Sequence, residues 1–286
     1  MSAGVPARVG VIGGGRMGAG IAHAFALAGA AVTVVERDAD AAAAASARLL
    51  ESLRRSVERG ATERRFEALA AAVETTADAA ALGGCGLVVE AVPEERGLKL
   101  EALGRAEGIL GPEAALATNT SSISIDDLAS GLERPERFLG LHFFNPVPAS
   151  QLVEVVTGSA TGPGLVDDAR GWVEALGKAA VVVRDSPGFA SSRLGVALGL
   201  EAIRMLEEGV ASASDIDAAM ELGYRHPLGP PRTTDLVGLD VRLGIAEELH
   251  AKLGDRFAPP DLLRRLVADG HLGRKTGRGF YEWSDQ

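Results

Sequence analysis

Short apolar runs alternate with segments of helical periodicity over the first two thirds of the chain. The runs of β-strand length cover residues 7–12, 30–35, 87–92, 114–118, 138–144, 152–157 and 179–184. Several are separated by segments in which apolar residues recur every three or four positions, such as residues 99–110. This alternation predicts an α/β domain built on a doubly wound, mostly parallel sheet.

A helical insertion follows the second apolar run. Residues 39–59 are rich in alanine and form one predicted helix, Gly60 breaks it, and residues 63–73 form a second helix. The pair is longer than a simple crossover between parallel strands requires.

The pattern changes after Asp185-Ser186-Pro187-Gly188. No strand-like run recurs beyond it, and helices are predicted over residues 189–208, 215–222, 234–253 and 261–268. The sequence therefore predicts an α/β domain over residues 1–185 and an all-α domain over residues 186–286.

Apolar residues cover nearly the whole circumference of the first helix in this second domain. They are Leu194, Val196, Ala197, Leu198, Leu200, Ile203, Met205 and Leu206. Such a helix needs burial on several sides. A subunit interface and a central position in a small α-domain would each supply it, and both interpretations stay open.

Composition narrows the range of partners. The chain has 47% hydrophobic residues, a net charge of −10, no basic cluster and 4% aromatic residues, which argues for a globular core and against nucleic-acid binding. The N-terminal residues resemble neither a signal peptide nor a membrane span. Cys85 is the single cysteine, so we expect it to pack at a strand start in a protein of the reducing cytoplasm. No residues are assigned to a metal.

A glycine loop, Gly13-Gly14-Gly15-Arg16-Met17-Gly18, joins the first apolar run to a predicted helix. Gly13 permits a tight turn, Gly15 lets a pyrophosphate approach the backbone, and Gly18 allows close packing of helix on strand. The phosphates would face the helix N-terminus. In this context the loop indicates a Rossmann-type dinucleotide site rather than a plain α/β turn.

Glu36 ends the second apolar run. Its carboxylate can accept hydrogen bonds from both ribose hydroxyls and repels a 2′-phosphate, which favours NAD over NADP. Arg37 lies beside Glu36, so a preference for NADP over NAD also stays open. A solvated acid at a strand end is the plain alternative.

His142 and Glu154 lie on successive apolar runs. Glu154 is in the middle of its run, where a carboxylate is costly unless it is paired. If the two strands are neighbours, Glu154 can hold one imidazole nitrogen and leave the other to take a proton from a substrate hydroxyl. The alternative is a buried structural ion pair.

The polar segment Thr118-Asn119-Thr120-Ser121-Ser122 follows another predicted strand. Open parallel sheets bind ligands beyond the carboxyl ends of their strands. We therefore expect polar contacts to cofactor and substrate here, although an isolated run of this kind would also suit a helix N-cap before residues 125–129.

Together these motifs resemble the L-3-hydroxyacyl-CoA dehydrogenase family, which includes the bacterial 3-hydroxybutyryl-CoA dehydrogenases. The resemblance runs from about Arg8 to Trp283 and includes GGGRMGAGIA, VVEAVPE, NTSS, LHFFNPVP, LVEVV, DSPGF, GLD and GRKTGRGFYEW. It implies an N-terminal NAD domain with a helical insertion, followed by an all-helical domain that forms a homodimer.

The resemblance also implies roles for single residues. It makes His142 the catalytic base, Glu154 its orienting partner and Ser121 a contact to substrate and nicotinamide. The implied cofactor contacts are Glu94, Lys99, Asn145 and Lys275, in addition to Gly13, Gly15, Met17, Gly18 and Glu36 of the dinucleotide motif. Ser52 and Arg59 fall near residues that touch coenzyme A, with Arg59 in place of a lysine.

Ser192 departs from the family pattern. The family has an asparagine at this position, immediately before Arg193, and that asparagine helps to bind the reacting oxygen. Serine keeps a donor and an acceptor but is shorter. We expect Ser192 to reach the oxygen directly or through a water, or the substrate to sit differently.

These observations predict an enzyme that uses NAD to interconvert an L-3-hydroxyacyl-CoA and a 3-oxoacyl-CoA. The alternatives are the same hydride chemistry on an acyl-carrier-protein thioester or a free hydroxy acid, and a non-catalytic NAD-binding protein. Acyl length, pathway, direction and assembly beyond a dimer are not determined by the sequence.

Overall fold

The computed structural model describes residues 4–283. The described residues fall into two compact units, with the boundary between Asp185 and Ser186.

The first unit is an eight-stranded sheet with helices in the connections. Its strands are β1 (Arg8–Ile12), β2 (Ala31–Val35), β3 (Val73–Thr76), β4 (Leu87–Glu90), β5 (Ala115–Thr118), β6 (Phe138–Phe143), β7 (Leu152–Thr157) and β8 (Ala179–Arg184). Its helices are α1 (Arg16–Leu27), α2 (Ala39–Glu58), α3 (Phe66–Ala71), α4 (Arg96–Ile109), α5 (Ile125–Ala129) and α6 (Pro163–Ala175).

The strand order is β3-β2-β1-β4-β5-β6-β7-β8. All neighbouring strands are parallel except β6 and β7, which are antiparallel. The chain leaves β1 towards one edge and returns to place β4 on its other side, so a crevice opens at the carboxyl ends of these strands. The predicted doubly wound, mostly parallel sheet is confirmed.

The sheet is buried because its central strands are almost wholly apolar. Val9 and Val11 of β1 and Leu87 of β4 have no exposed surface, and they belong to the same core as Ile21 and Phe25 of α1. Strands covered on both faces are expected to be continuous apolar runs rather than alternating ones. Cys85 is a free, buried thiol two residues before β4, as expected.

The predicted helix over residues 63–73 is wrong at both ends. The helix covers only Phe66–Ala71, and the chain then forms β3 with Val73-Glu74-Thr75-Thr76. β3 pairs with β2 on one side only. An edge strand of four residues can carry exposed polar side chains, and its apolar pattern is therefore too weak to recognise.

The second unit is helical throughout its regular elements. The helices are α7 (Ser191–Glu207), α8 (Ala213–Tyr224), α9 (Pro230–Val237), α10 (Leu239–Leu253) and α11 (Asp261–Ala268). The single helix predicted over residues 234–253 is wrong, because α9 ends before Gly238 and α10 begins after it. Gly238 has a φ of 104°, which a continuous right-handed helix does not accommodate.

α7 packs against α9, α10 and α11, but these helices do not cover its whole circumference. Val196, Leu200 and Ile203 are fully buried in a core shared with α10. Leu194 on the same helix is 70% exposed. Packing within the unit therefore accounts for only part of the apolar circumference. In the described part of the chain, no helix has the length and apolarity needed to cross a membrane.

Candidate active site

A cavity of about 1000 Å³ opens at the carboxyl ends of the central strands of the first unit. It is lined by residues that directly follow or end β1, β2, β4, β5 and β6. The sequence-predicted residues that line it are Gly13, Gly15, Met17, Glu36, Glu94, Lys99, Ser121, His142 and Asn145. The fold therefore brings motifs that are more than 120 residues apart in the sequence into one cavity.

The glycine loop has the shape that a pyrophosphate requires. Gly13 has a φ of 90°, and its N–H donates to the carbonyl of Val35 at 2.8 Å. A methyl group on Gly18 would lie 1.7 Å from the carbonyl oxygen of Gly13, whereas one on Gly15 would meet nothing within 4 Å. Gly18 thus closes the loop against the helix, and the open space at Gly15 fits a dinucleotide phosphate.

Glu36 is oriented by the same loop. Its Oε1 accepts the N–H of Gly14 at 2.7 Å, and its Oε2 accepts the N–H of Arg37 at 3.2 Å. The Arg37 guanidinium pairs with Asp38 at 2.9 Å and is highly exposed. Glu36 therefore presents its carboxylate at the cavity wall, at the end of β2, where its position in the sequence predicts the ribose.

His142 and Glu154 form a buried pair across the antiparallel strands. They are directly opposite in the β6–β7 ladder, so both side chains project from the same face of the sheet. Nδ1 of His142 lies 2.8 Å from Oε2 of Glu154, and the two side chains are 8% and 1% exposed. A carboxylate only accepts hydrogen bonds, so Nδ1 is assigned the hydrogen and Nε2 the lone pair of the neutral ring. This is the tautomer that a general base requires.

The loop that carries Ser121 is held by a single carboxylate oxygen. Oε1 of Glu94 accepts hydrogen bonds from the Thr120 hydroxyl at 2.6 Å, the Ser121 N–H at 2.9 Å and the Ser122 N–H at 3.0 Å. Partial burial raises the pKa of Glu94, but Lys99 and these donors outweigh it and hold the net pKa below its usual value. The Ser121 hydroxyl lies 3.3 Å from the same oxygen. Glu94 therefore fixes this loop at the cavity wall.

Lys99 borders the cavity, but its ammonium group is buried against acidic side chains. Its Nζ is 2.9 Å from Oε1 of Glu90, 3.3 Å from Oε2 of Glu94 and 3.2 Å from the carbonyl of Val92. Lys99 is 1% exposed and Glu90 is fully buried. The Thr118 hydroxyl also donates to Glu90, at 2.6 Å. This network joins the ends of β4 and β5 to α4.

Sequence reasoning missed Glu90. The available signal was its place at the end of the apolar run Leu87-Val88-Val89, which is the argument that identified Glu154.

The loop between β6 and β7 is clamped from two sides. Nζ of Lys178 donates to the carbonyls of Val147, at 2.7 Å, and Ser150. A methyl group on Gly20 of α1 would lie 2.8 Å from Cβ of Val147. Partial burial lowers the pKa of Lys178. Both contacts fix the loop that begins with Asn145, and neither was predicted.

Two further predicted residues of the first unit, Ser52 and Arg59, do not line this cavity. Ser52 is half-buried and Arg59 is exposed at the end of α2, two helical turns apart on one face. In the second unit, Ser192 is half-buried in the first turn of α7, and Lys275 pairs with Asp240 at 2.6 Å. Over residues 4–283 no group of three or more His, Cys, Asp or Glu side chains could hold a metal ion.

Comparison with known proteins gives the same family for both units. The model of the 3-hydroxyacyl-CoA dehydrogenase NAD binding domain matches residues 8–186, and that of the C-terminal domain matches residues 188–283. A 3-hydroxybutyryl-CoA dehydrogenase of Bradyrhizobium diazoefficiens is 42% identical over 281 residues, which are 96% of this chain and 95% of the relative.

Solved structures are similar over nearly the whole chain. Mycobacterium tuberculosis FadB2 is 41% identical with a TM-score of 0.91, covering 98% of this chain and 100% of that one. The (S)-3-hydroxybutyryl-CoA dehydrogenase PaaH1 from Ralstonia eutropha is 38% identical with a TM-score of 0.93 and the same coverage.

Proposed function

The chain belongs to the 3-hydroxyacyl-CoA dehydrogenase family, and from that membership we propose that it reversibly oxidises the C3 hydroxyl of an L-3-hydroxyacyl-CoA with NAD. The observation that carries this proposal is the buried His142–Glu154 pair, 2.8 Å apart, because its His142 lines the same cavity as the glycine loop. A purely structural ion pair would not need to border a dinucleotide cavity.

Proton transfer is assigned to His142. Bound NAD supplies the hydride acceptor for C3. Nε2 of His142 removes the hydroxyl proton, and Glu154 stabilises the resulting imidazolium through Nδ1. Burial of the pair keeps water from competing for this charge. In the reverse direction the imidazolium returns the proton to the carbonyl oxygen.

Two serines are proposed to position the reacting oxygen. Ser121 lies on the loop that Glu94 fixes through the Ser121 N–H. Its hydroxyl donates to Glu94 at 3.3 Å, a long bond that the hydroxyl would exchange for one to the C3 oxygen. Ser192 stands at the family's asparagine position and is proposed as a second donor. Preorganised donors of this kind stabilise charge that develops on oxygen during the reaction.

The other proposed contacts concern cofactor and coenzyme A. Gly13, Gly15, Met17 and Gly18 would hold the pyrophosphate, Glu36 the ribose, and Glu94, Asn145 and Lys275 further parts of NAD. Lys99 is proposed to act through Glu94, because its ammonium group is buried against carboxylates. Ser52 and Arg59 share a face of α2 and would meet the phosphates of coenzyme A.

The second unit is proposed to form a homodimer. Its exposed apolar side chains include Leu194, Leu222 and Tyr224, which are 70%, 84% and 76% exposed. Exposed apolar surface of this extent is typical of an interaction site. Gel filtration with light scattering should give twice the mass of the chain, and a monomer would refute the dimer.

A cytoplasmic location is proposed from the single cysteine. Cys85 is buried and has no partner cysteine with which to form an internal disulfide. Fractionation of cells that express the tagged protein would test this, and recovery outside the cytoplasm would contradict it.

The deciding experiment is NADH oxidation with acetoacetyl-CoA, repeated with NADPH. Rapid oxidation of NADH, with NADPH much slower, is expected. The same acyl group on coenzyme A, on acyl carrier protein and as the free acid separates the substrate classes. A preference for the free acid would refute the thioester assignment, and tight NADH binding without any turnover would favour a non-catalytic protein.

A further inference from the structure

Asn119 extends the sheet beyond the end of β5. Its backbone N–H donates to the carbonyl of Glu90 at 2.8 Å, on the β4 side. Its side-chain Oδ1 accepts the N–H of Phe143 at 2.9 Å, on the β6 side. A backbone N–H only donates, so the amide atom that faces Phe143 is assigned as the oxygen. The ends of β4 and β6 therefore fix the Asn119 amide, with Nδ2 on its other arm.

The Nδ2 donor of Asn119 is open to the cavity of the first unit. Within residues 4–283, no hydrogen bond from Nδ2 is found, and Nδ2 is not among the buried side-chain atoms that lack a partner. The atom is therefore accessible. Asn119 is half-buried and lines the cavity together with Ser121 and His142. Its two amide hydrogens are thus held ready for a ligand in this cavity.

The order of the strands determines which part of NAD would lie at Asn119. Glu36 at the end of β2 is the proposed ribose contact, and the glycine loop after β1 is the proposed pyrophosphate site. The nicotinamide half would then extend to the other side of β1, across β4 and β5. β5 is two strands from β1, about 10 Å away at the usual strand spacing. Asn119 therefore lies between the pyrophosphate site and His142 of β6.

We propose that Nδ2 of Asn119 donates a hydrogen bond to the carboxamide oxygen of the nicotinamide ring and so holds the ring beside His142. This rests on the proposed function, in which the hydride leaves the same carbon whose hydroxyl proton His142 removes, so that the ring has to lie next to His142. The carboxamide is the only hydrogen-bonding substituent of the ring. A donor that the sheet has already oriented loses little conformational freedom when it binds this oxygen.

Asn119→Asp separates the two functions of this side chain. A carboxylate still accepts the Phe143 N–H, but it has no hydrogen to donate. The probe is the reduced 3-acetylpyridine analogue of NAD, which keeps the carbonyl oxygen and lacks the NH₂ group that could turn towards a carboxylate. In titration calorimetry, Asn119→Asp should raise the dissociation constant of this analogue about tenfold, as expected for the loss of one hydrogen bond. ADP-ribose, which lacks the ring, should bind the wild type and the variant equally.

Gln151→Glu is the matched control. It makes the same change from amide to carboxylate at an exposed position that does not line the cavity, so both dissociation constants should stay unchanged. An unchanged affinity of Asn119→Asp for the analogue would overturn the inference. Equal weakening of ADP-ribose would overturn it as well, because the contact would then not be to the ring. If only the KM of acetoacetyl-CoA rose, Nδ2 would bind the substrate instead, and the inference would be wrong.

These binding measurements do not require turnover. A wild type that fails to oxidise NADH with acetoacetyl-CoA would remove the proposed function. The dissociation constants of the analogue and of ADP-ribose would still show whether Asn119 contacts the ring, so the two failures are distinguishable.

Discussion

Nζ of Lys99 lies 2.9 Å from Oε1 of Glu90, and the two side chains are 1% and 0% exposed. The pair supports the loop of Ser121 indirectly. Lys99 also pairs with Glu94, and Glu94 accepts a hydrogen bond from the Ser121 N–H. A buried pair costs much to desolvate, and it is maintained only while both members are present.

Lys99→Met should therefore destabilise the fold by about 3–5 kcal/mol, because it leaves the carboxylate of Glu90 buried and unpaired. Urea unfolding monitored by tryptophan fluorescence measures this. Adding Glu90→Gln to Lys99→Met should recover part of the loss. A single Lys99→Met variant as stable as the wild type would contradict the assignment of a buried charge pair.

His142→Gln should reduce kcat about a hundredfold or more, since general-base catalysis contributes at least that much. The dissociation constant of NADH, from fluorescence titration, should change little because the glycine loop and Glu36 are untouched. His250→Gln is the control, as His250 lies on α10 in the second unit and pairs with Asp255. Turnover that survives within a few-fold would mean that His142 is not the base.

Glu36→Gln should weaken discrimination against NADPH about tenfold. The amide keeps an oxygen that can accept the Gly14 N–H, so the loop geometry is preserved while the charge that repels a 2′-phosphate is removed. The ratio of kcat/KM for NADH and NADPH measures the effect. An unchanged ratio would show that another group selects the cofactor.

The burial of His23 should make the free energy of unfolding decrease as the pH is lowered. It is 2% exposed, and burial followed by the charge of Lys178 lowers its pKa to about 4 from 6.5. Below pH 6.5 His23 is protonated in the unfolded chain, whereas in the folded protein it stays neutral until the pH falls to about 4. The free energy of unfolding should fall by about 3 kcal/mol across this window as pH decreases.

The test is urea unfolding of the wild type and of His23→Gln between pH 7 and pH 4. Gln can keep a hydrogen bond to Ser56, which Nε2 of His23 makes at 2.8 Å, but it does not titrate. Between pH 7 and pH 4, the free energy of unfolding should decrease less in the variant than in the wild type, and the difference should equal the contribution attributed to His23. Equal slopes in the two proteins would exclude this origin.

The sequence was sufficient to predict the features that depend on long apolar runs. The parallel sheet, the helical second unit and the pairing of His142 with Glu154 all follow from that pattern, the last because a carboxylate inside an apolar strand needs a partner. β3 was not predicted, because a strand of only four residues at the edge of the sheet does not form a recognisable apolar run. The break at Gly238 was hidden because α9 and α10 have one nearly continuous apolar pattern.

The positions of two buried cations, Lys99 and Arg242, and of the half-buried Lys178 could not be predicted in the same way. Lys99, Lys178 and Arg242 each lie in segments where a cation would ordinarily be solvated. Their burial follows from neighbours brought in by the fold, such as Glu90 for Lys99 and the loop carbonyls for Lys178. Such contacts depend on tertiary distances that periodicity does not contain.

The antiparallel ladder of β6 and β7 has a consequence for insertions and deletions. Side chains alternate between the two faces of a strand, so a one-residue slip of β7 would place Val153 or Val155 opposite His142 and turn Glu154 to the other face. The separation of 12 positions between His142 and Glu154 in the sequence does not itself determine the catalytic geometry. Residues can be added to or removed from the connecting loop without separating acid and base, provided that the two strands keep the same pairing.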